Sequence, residues 1–262
     1  MMKSTPHIAL ALCLILCPVL CAPALADSGP PVPRGLEALA LAREPDNILE
    51  AFLGLPYRPD GAVNEAGEYS LFAARDRRFD SPGLNCSGLV LAAVRFLFNR
   101  NITLDEAVRD RLGDSGPGAP MGQDWDFGWD LILNVSEGLE RRFLLPGGQS
   151  LDPAAASGIE PLGWDLNDKA LWRELPPCFR PGHVYLISMS MQARTAGYGL
   201  QHYHLGLAHV DSLGRAWFYQ TTGRGGAANR RDLNSAKGRA SFMRAFASGS
   251  PKKILVLEVR LP

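Results

Sequence analysis

Apolar residues change their spacing along this chain, and the change separates a helical first half from a strand-rich second half. In residues 86–98, Leu89, Ala93, Phe96 and Leu97 recur at three- and four-residue intervals and line one face of a helix that starts at Cys86. Residues 35–43 are Ala/Leu-rich and read as helical. Asp46 reads as the N-cap of a short helix reaching about Leu53, which Gly54-Leu55-Pro56-Tyr57 ends. Residues 58–82 hold few apolar anchors and read as a polar loop. Thr103 and Glu106 form a capping-box pattern for a helix to about Leu112. A Gly/Pro-rich loop at 113–122 precedes a long helix over 127–144, weakened by Gly128 and Gly138. Residues 145–181 read as mostly irregular, with a short helix near 168–175. Beyond Pro181 come short runs rich in β-branched and aromatic residues at 183–189, 203–210, 216–222 and 254–260, bounded by turn residues such as 211–214. Helices first and strands second predict an α+β fold rather than an alternating parallel sheet.

The N-terminus follows a different rule. Lys3 precedes an apolar run at residues 8–20, and Ala24-Leu25-Ala26 supplies a small-x-small site. That order predicts a secretory signal over 1–26, too short to span a bilayer and broken by Pro18 and Pro23. Residues 27–45 then form a leader, and 46–262 one domain, with no integral membrane segment after cleavage and an exported, periplasmic or extracellular location in a bacterium.

Composition narrows the picture further. The 262 residues are 46% hydrophobic and 21% charged, enough for a sizeable core and too apolar for global disorder. Lys+Arg and Asp+Glu are both 27, so no field-driven affinity for nucleic acid is implied. The signal takes Cys13, Cys17 and Cys21 with it, leaving Cys86 and Cys178. One disulfide between them is an alternative to a free thiol at Cys86.

Asn85-Cys86-Ser87-Gly88 puts the thiol where a loop becomes a helix. Unpaired amides and the positive dipole end there favour thiolate, the nucleophilic form, and can hold an oxyanion. Gly88 reads as leaving room for a close substrate. A nucleophilic thiol needs a base, and the base an orienting group. His202, His204 and His209 cluster in one predicted strand. Simple alternation puts His202 and His204 on one face and His209 on the other, a poor arrangement for a metal, and neither metal nor cofactor is expected. His204 is the expected base and His202 its competitor. Gln220, on the next strand, can accept from the other ring nitrogen.

In their order along the chain, these pieces resemble the NlpC family of bacterial cell-wall cysteine peptidases, over about 47–223. Leu55-Pro56-Tyr57 is similar to its Pro-Tyr segment. Asn85-Cys86-Ser87-Gly88-Leu89-Val90 is similar to its nucleophile motif, Arg180-Pro181-Gly182-His183-Val184 to its Pro-Gly-Asp strand opening, and His204-Leu205-Gly206-Leu207 to its base motif. The resemblance implies a papain-like α+β fold, with the cysteine helix packed on a C-terminal antiparallel sheet. It implies hydrolysis of amide bonds in peptidoglycan stem peptides, with Cys86 as nucleophile, His204 as base and Gln220 as orienter. Tyr57, Asn85 and Ser87 would contact substrate. The chain departs from the pattern at Asn85 and His183, where the family has Asp, and in a longer span at about 100–180 that reads as an insertion beside the groove. An acyl or amide transferase on the same scaffold, and an exported non-catalytic binding protein, are the alternatives. No oligomeric state follows from the sequence.

Overall fold

The computed structural model describes residues 29–113, 125–158, 160–192, 200–224 and 226–262. The expected signal over 1–26 lies outside these residues, as does most of the Gly/Pro-rich loop at 113–122.

Leu36 and Leu39 anchor a 3-10 turn at Glu37–Ala40 where the sequence predicts a helix. Helix α1 (Pro45–Glu50) begins two residues earlier than expected. Glu44 is its N-cap and Pro45 its first residue, a position that needs no N–H, so Asp46 falls inside the helix. The expected polar loop at 58–82 contains a hairpin of β1 (Gly61–Val63) and β2 (Tyr69–Leu71). Helix α2 (Cys86–Leu97) is the central helix and is buried along nearly its whole length. Helix α3 (Leu104–Ala107) carries the predicted capping box, with Thr103 and Glu106 exchanging hydrogen bonds. Helix α4 (Phe127–Val135) is shorter than predicted. Ser136 ends it, Gly138 turns the chain at φ 76°, and the rest of the predicted helix is strand β3 (Arg141–Leu145).

The remaining elements are β4 (Gln149–Leu151), β5 (Trp164–Asp165), α5 (Leu171–Glu174), β6 (His183–Met191), β7 (Gln201–Val210), β8 (Ala216–Gln220), β9 (Asn229–Asp232), α6 (Ala236–Phe246) and β10 (Lys252–Arg260). Eight strands form one sheet in the order β4-β3-β10-β6-β7-β8-β9, with β5 also paired to β10, and every pairing is antiparallel. The fold is mixed helix and sheet, as α+β requires. Within the span of about 100–180 expected as an insertion, β3 joins the sheet beside β10.

Alternation along the strands sets two cores. Val184 and Leu186 of β6, with Leu205 and Leu207 of β7, pack with α2 and α4. Tyr185, Ile187, Met189, Ala208 and Phe218 pack on the other face with Phe242 and Phe246 of α6. The two faces thus read as consecutive apolar residues along β6, as in a sheet covered on both sides. Among the described residues, no helix is long and apolar enough to cross a membrane.

Candidate active site

The start of α2 is fixed from three directions. Asn85 is its N-cap, and the Gly88 N–H donates to Asn85 Oδ1 at 2.7 Å. The Asn85 N–H donates to the Gly61 carbonyl at 2.9 Å, tying the cap to β1. Gly88 then lies against that strand. A Cβ there would sit 2.1 Å from the Gly61 oxygen, so this glycine serves close helix–strand packing, not substrate access as expected. Residues 56–58 run beside the same turn. Leu84 N–H donates to Pro56 O at 3.0 Å and Arg58 N–H to Leu84 O at 3.1 Å, which sets Tyr57 beside Cys86. Tyr57 N–H also donates to Gly226 O at 2.9 Å.

Cys86 and Cys178 are both free thiols. Cys178 Sγ donates to the Glu174 carbonyl at 3.2 Å and is structural. Cys86 opens on a cavity of about 540 Å³ that also takes in Tyr57, Asn85, Ser87, His202, His204 and Leu205. Burial raises the Cys86 pKa above its usual value. The backbone amides of Leu205, Ser87 and Cys86 itself, and the Ser87 hydroxyl 3.9 Å away, pull in the opposite direction. Burial wins, so the resting group is a thiol. The amides that would stabilise a thiolate are nonetheless in place, and Leu205 adds one that the helix alone does not supply. Burial raises the Tyr57 pKa, and a thiolate at Cys86 would oppose its ionisation further.

The two candidate bases do not share a sheet face. Met189 pairs with His204 and the next residue, Ser190, with His202, so Tyr203 is an extra residue in β7. This bulge reverses the alternation on one side of it. His202 therefore shares the α2 face with His209, and His204 lies on the α6 face, contrary to the simple alternation expected from sequence.

Ser188 and Gly158 occupy both nitrogens of His202. Nδ1 lies 2.8 Å from Ser188 Oγ and Nε2 3.3 Å from Gly158 O, while the ring rests against Trp129. Donation from Nε2–H to the carbonyl leaves Nδ1 to accept from the serine, and nothing is left for a thiol. His204 stacks on Phe246 with ring centroids 4.8 Å apart. Its Nε2 is sealed from solvent, with the Gln220 amide against it. Gln220 favours the protonated ring, yet Nε2 and Gln220 Oε1 fall short of hydrogen-bond geometry. Gln220 Nε2 donates to Asn229 Oδ1 at 2.9 Å, which orients the amide oxygen away from Asn229. Burial first, then the Arg231 guanidinium, push the His204 pKa down to about 4. Burial alone does the same to His202, also to about 4.

Cys86 and His204 thus border one cavity, each uncharged, with no hydrogen bond between sulfur and ring. Gln220 lies against the His204 ring without the expected hydrogen bond to it, and Tyr57, Asn85 and Ser87 line the cavity. Asn85 has a prior commitment, because its Oδ1 caps α2 and only its amide nitrogen is free for a ligand. Sequence reasoning missed Asp60, Phe72 and Phe127, which complete the cavity wall, the two rings meeting edge to face at 5.4 Å. It also missed Phe246, since α6 carries little apolar signal. Among the described residues, no three His, Cys, Asp or Glu side chains lie close enough to hold a metal ion. No protein-family model, no curated protein and no solved structure matches this chain.

Proposed function

We propose that this chain is an exported cysteine-type hydrolase of papain-like, NlpC-like fold, acting on amide bonds in peptidoglycan stem peptides. One observation carries the reading: the Cys86 thiol opens on a cavity at the N-terminus of α2, where the backbone amides of Leu205, Ser87 and Cys86 work against burial to lower its pKa. In the reaction, His204 takes the thiol proton and the sulfur attacks the substrate carbonyl carbon. The N-terminal amides of α2 hold the oxyanion. Protonated His204 then gives its proton to the departing amine, leaving an acyl-thioester on Cys86. Water, deprotonated by His204, attacks that thioester and regenerates the thiol. Gln220, against the ring, favours its protonated form and would orient it once their contact tightens to a hydrogen bond. The chemistry requires the His204 ring and the sulfur to close to hydrogen-bond distance when substrate fills the cavity, as apo sites commonly do.

One observation favours a second reading, a non-catalytic binding protein: at rest the thiol is neutral and the base is held on Phe246 instead of the sulfur. Incubation with purified peptidoglycan, followed by fragment analysis, separates the two. Fragment release by the parent protein and none by Cys86→Ala supports the hydrolase. Equal results from both proteins end it. Release of a fragment joined to an added amine points to transfer instead of hydrolysis.

A further inference from the structure

The cavity in front of Cys86 holds an uneven distribution of charge. Of its described wall residues, Cys86, Tyr57, Tyr203, His202 and His204 are neutral near pH 7, because burial raises the thiol and both phenols and lowers both imidazoles. Asp60 is the one remaining ionisable side chain among the described lining residues. It has no salt-bridge partner among them. Its side chain meets a neutral group, the Ala73 N–H, which donates to Oδ2 at 2.8 Å. Oδ1 is uncommitted.

Asp60 is also held firmly. Its backbone sits in the left-handed region at φ 57°, unusual for a residue with a side chain. The Phe72 N–H donates to its carbonyl at 3.1 Å, so both ends of the residue are tied to the end of β2. The next residue, Gly61, accepts the Asn85 N–H. A carboxylate is therefore fixed at the rim of the cavity, one residue from the strand that braces the nucleophile's cap. A half-buried anion without a counter-charge is a site waiting for a cation.

We infer that Asp60 is a specificity-determining residue that selects ligands bearing an ammonium group close to the carbonyl presented to Cys86. The inference rests on the hydrolase reading for the role of Cys86, but not for the binding of the cation. Phe72 and Phe127 offer apolar wall next to it, which strengthens an ion pair by excluding water. Substrates would be amine-bearing peptides, and N-acylated or carboxylate-bearing analogues would be poor.

Two measurements on the purified protein test this. In the first, three matched iodoacetamides, carrying a trimethylammonium, a tert-butyl or a carboxylate arm, compete for Cys86, followed by mass spectrometry. Rates are referred to those of free glutathione. The cationic probe is expected to outrun the anionic one about fivefold beyond the glutathione ratio, the size a partly exposed ion pair gives. Asp60→Asn keeps an oxygen for the Ala73 N–H and loses the charge, so the ratio should fall to the glutathione value. An unchanged ratio in Asp60→Asn, or no cationic preference in the parent, overturns the inference. The second measurement is saturation-transfer NMR with glycinamide, protonated at neutral pH, against acetamide. Glycinamide alone should show contact, and Asp60→Asn should lose it; equal signals from the two ligands overturn the inference. An inert Cys86 with intact glycinamide binding would sink the hydrolase reading and leave the cation site standing.

Discussion

Replacing Gly88 by alanine tests whether this glycine serves packing or catalysis. The new Cβ would lie 2.1 Å from the Gly61 carbonyl oxygen and 3.1 Å from Ala62 Cα. The first contact is more than about 1 Å inside van der Waals distance. Both atoms belong to backbone, so no side chain can swing aside. Helix α2 and strand β1 must separate, and the same Gly61 oxygen accepts the Asn85 N–H, so the cap contact loosens with them. Forced overpacking costs about 1–3 kcal/mol, and a weakened buried hydrogen bond about 1 kcal/mol. Alanine's better helix propensity returns at most about 1 kcal/mol. The net expectation is a loss of about 2 kcal/mol, seen in urea denaturation as a lower midpoint at unchanged slope. In a thermal scan the loss corresponds to a fall in Tm of about 4–8 °C. Cys86 labelling should change as well, because its cap has moved. Parent-like stability with impaired turnover would refute the packing argument and restore a glycine that clears the way for substrate.

Other outcomes follow from the same geometry. Cys86→Ala should abolish wall-fragment release with circular dichroism unchanged. His204→Ala should be nearly as damaging and Gln220→Ala milder, so equal losses with unfolding at all three would mark them as structural. His202 and His204 are each less basic folded, at about 4, than at their usual 6.5. The unfolded chain therefore binds more protons between those values, and stability present above pH 6.5 is lost as pH falls toward 4, by up to about 2–3 kcal/mol per ring. His204→Gln should flatten part of that slope in denaturation series from pH 7 to 4.5, and an unaltered slope would contradict it. Arg95 lies buried in α2 and donates to Ile102 O at 2.7 Å, Val63 O at 2.7 Å and Asn64 O at 3.0 Å. Arg95→Ala should cost about 3 kcal/mol or more by orphaning those carbonyls, and Arg95→Lys should recover little, since an ammonium lacks the fork that reaches both directions.

The helix behind Cys86 was legible from its apolar repeat at three- and four-residue intervals, while the Asn85 cap that fixes its start was not read from the sequence. Strands β6, β7 and β10 were legible as β-branched runs between turns. The failures have physical causes. Strands β1 and β2 are three residues each, too short for any periodicity. The predicted helix over 127–144 ran on because Leu139, Phe143 and Leu144 continue its apolar pattern, although Gly138 already turns the chain into β3. Helix α6 buries only Phe242 and Phe246 and is otherwise polar, leaving the Ser235 cap as its one signal. The candidate site was read residue by residue from a motif, which named Cys86 and His204, two residues that border one cavity, and Gln220, which lies outside its lining against the His204 ring. The motif could not show the bulge at Tyr203, because an extra residue in a strand leaves no mark in the alternation on either side. Nor could it show Asp60, whose importance comes from what surrounds it.

The stitching of residues 54–58 to the far end of the chain has a kinetic consequence. Gly54 donates to Ala228 O, Ala228 to Leu55 O and Tyr57 to Gly226 O, while Tyr57 is set beside Cys86 through Leu84. Segments from opposite ends of the sequence must meet before the wall of the cavity exists. Closing so long a loop costs entropy that only late contacts repay. Helix α2 can form early from local contacts, with its thiol uncovered, and the pocket is completed only when the β8–β9 connection arrives. A chain halted before residue 226 would display Cys86 on a nascent helix with one side of its enclosure missing.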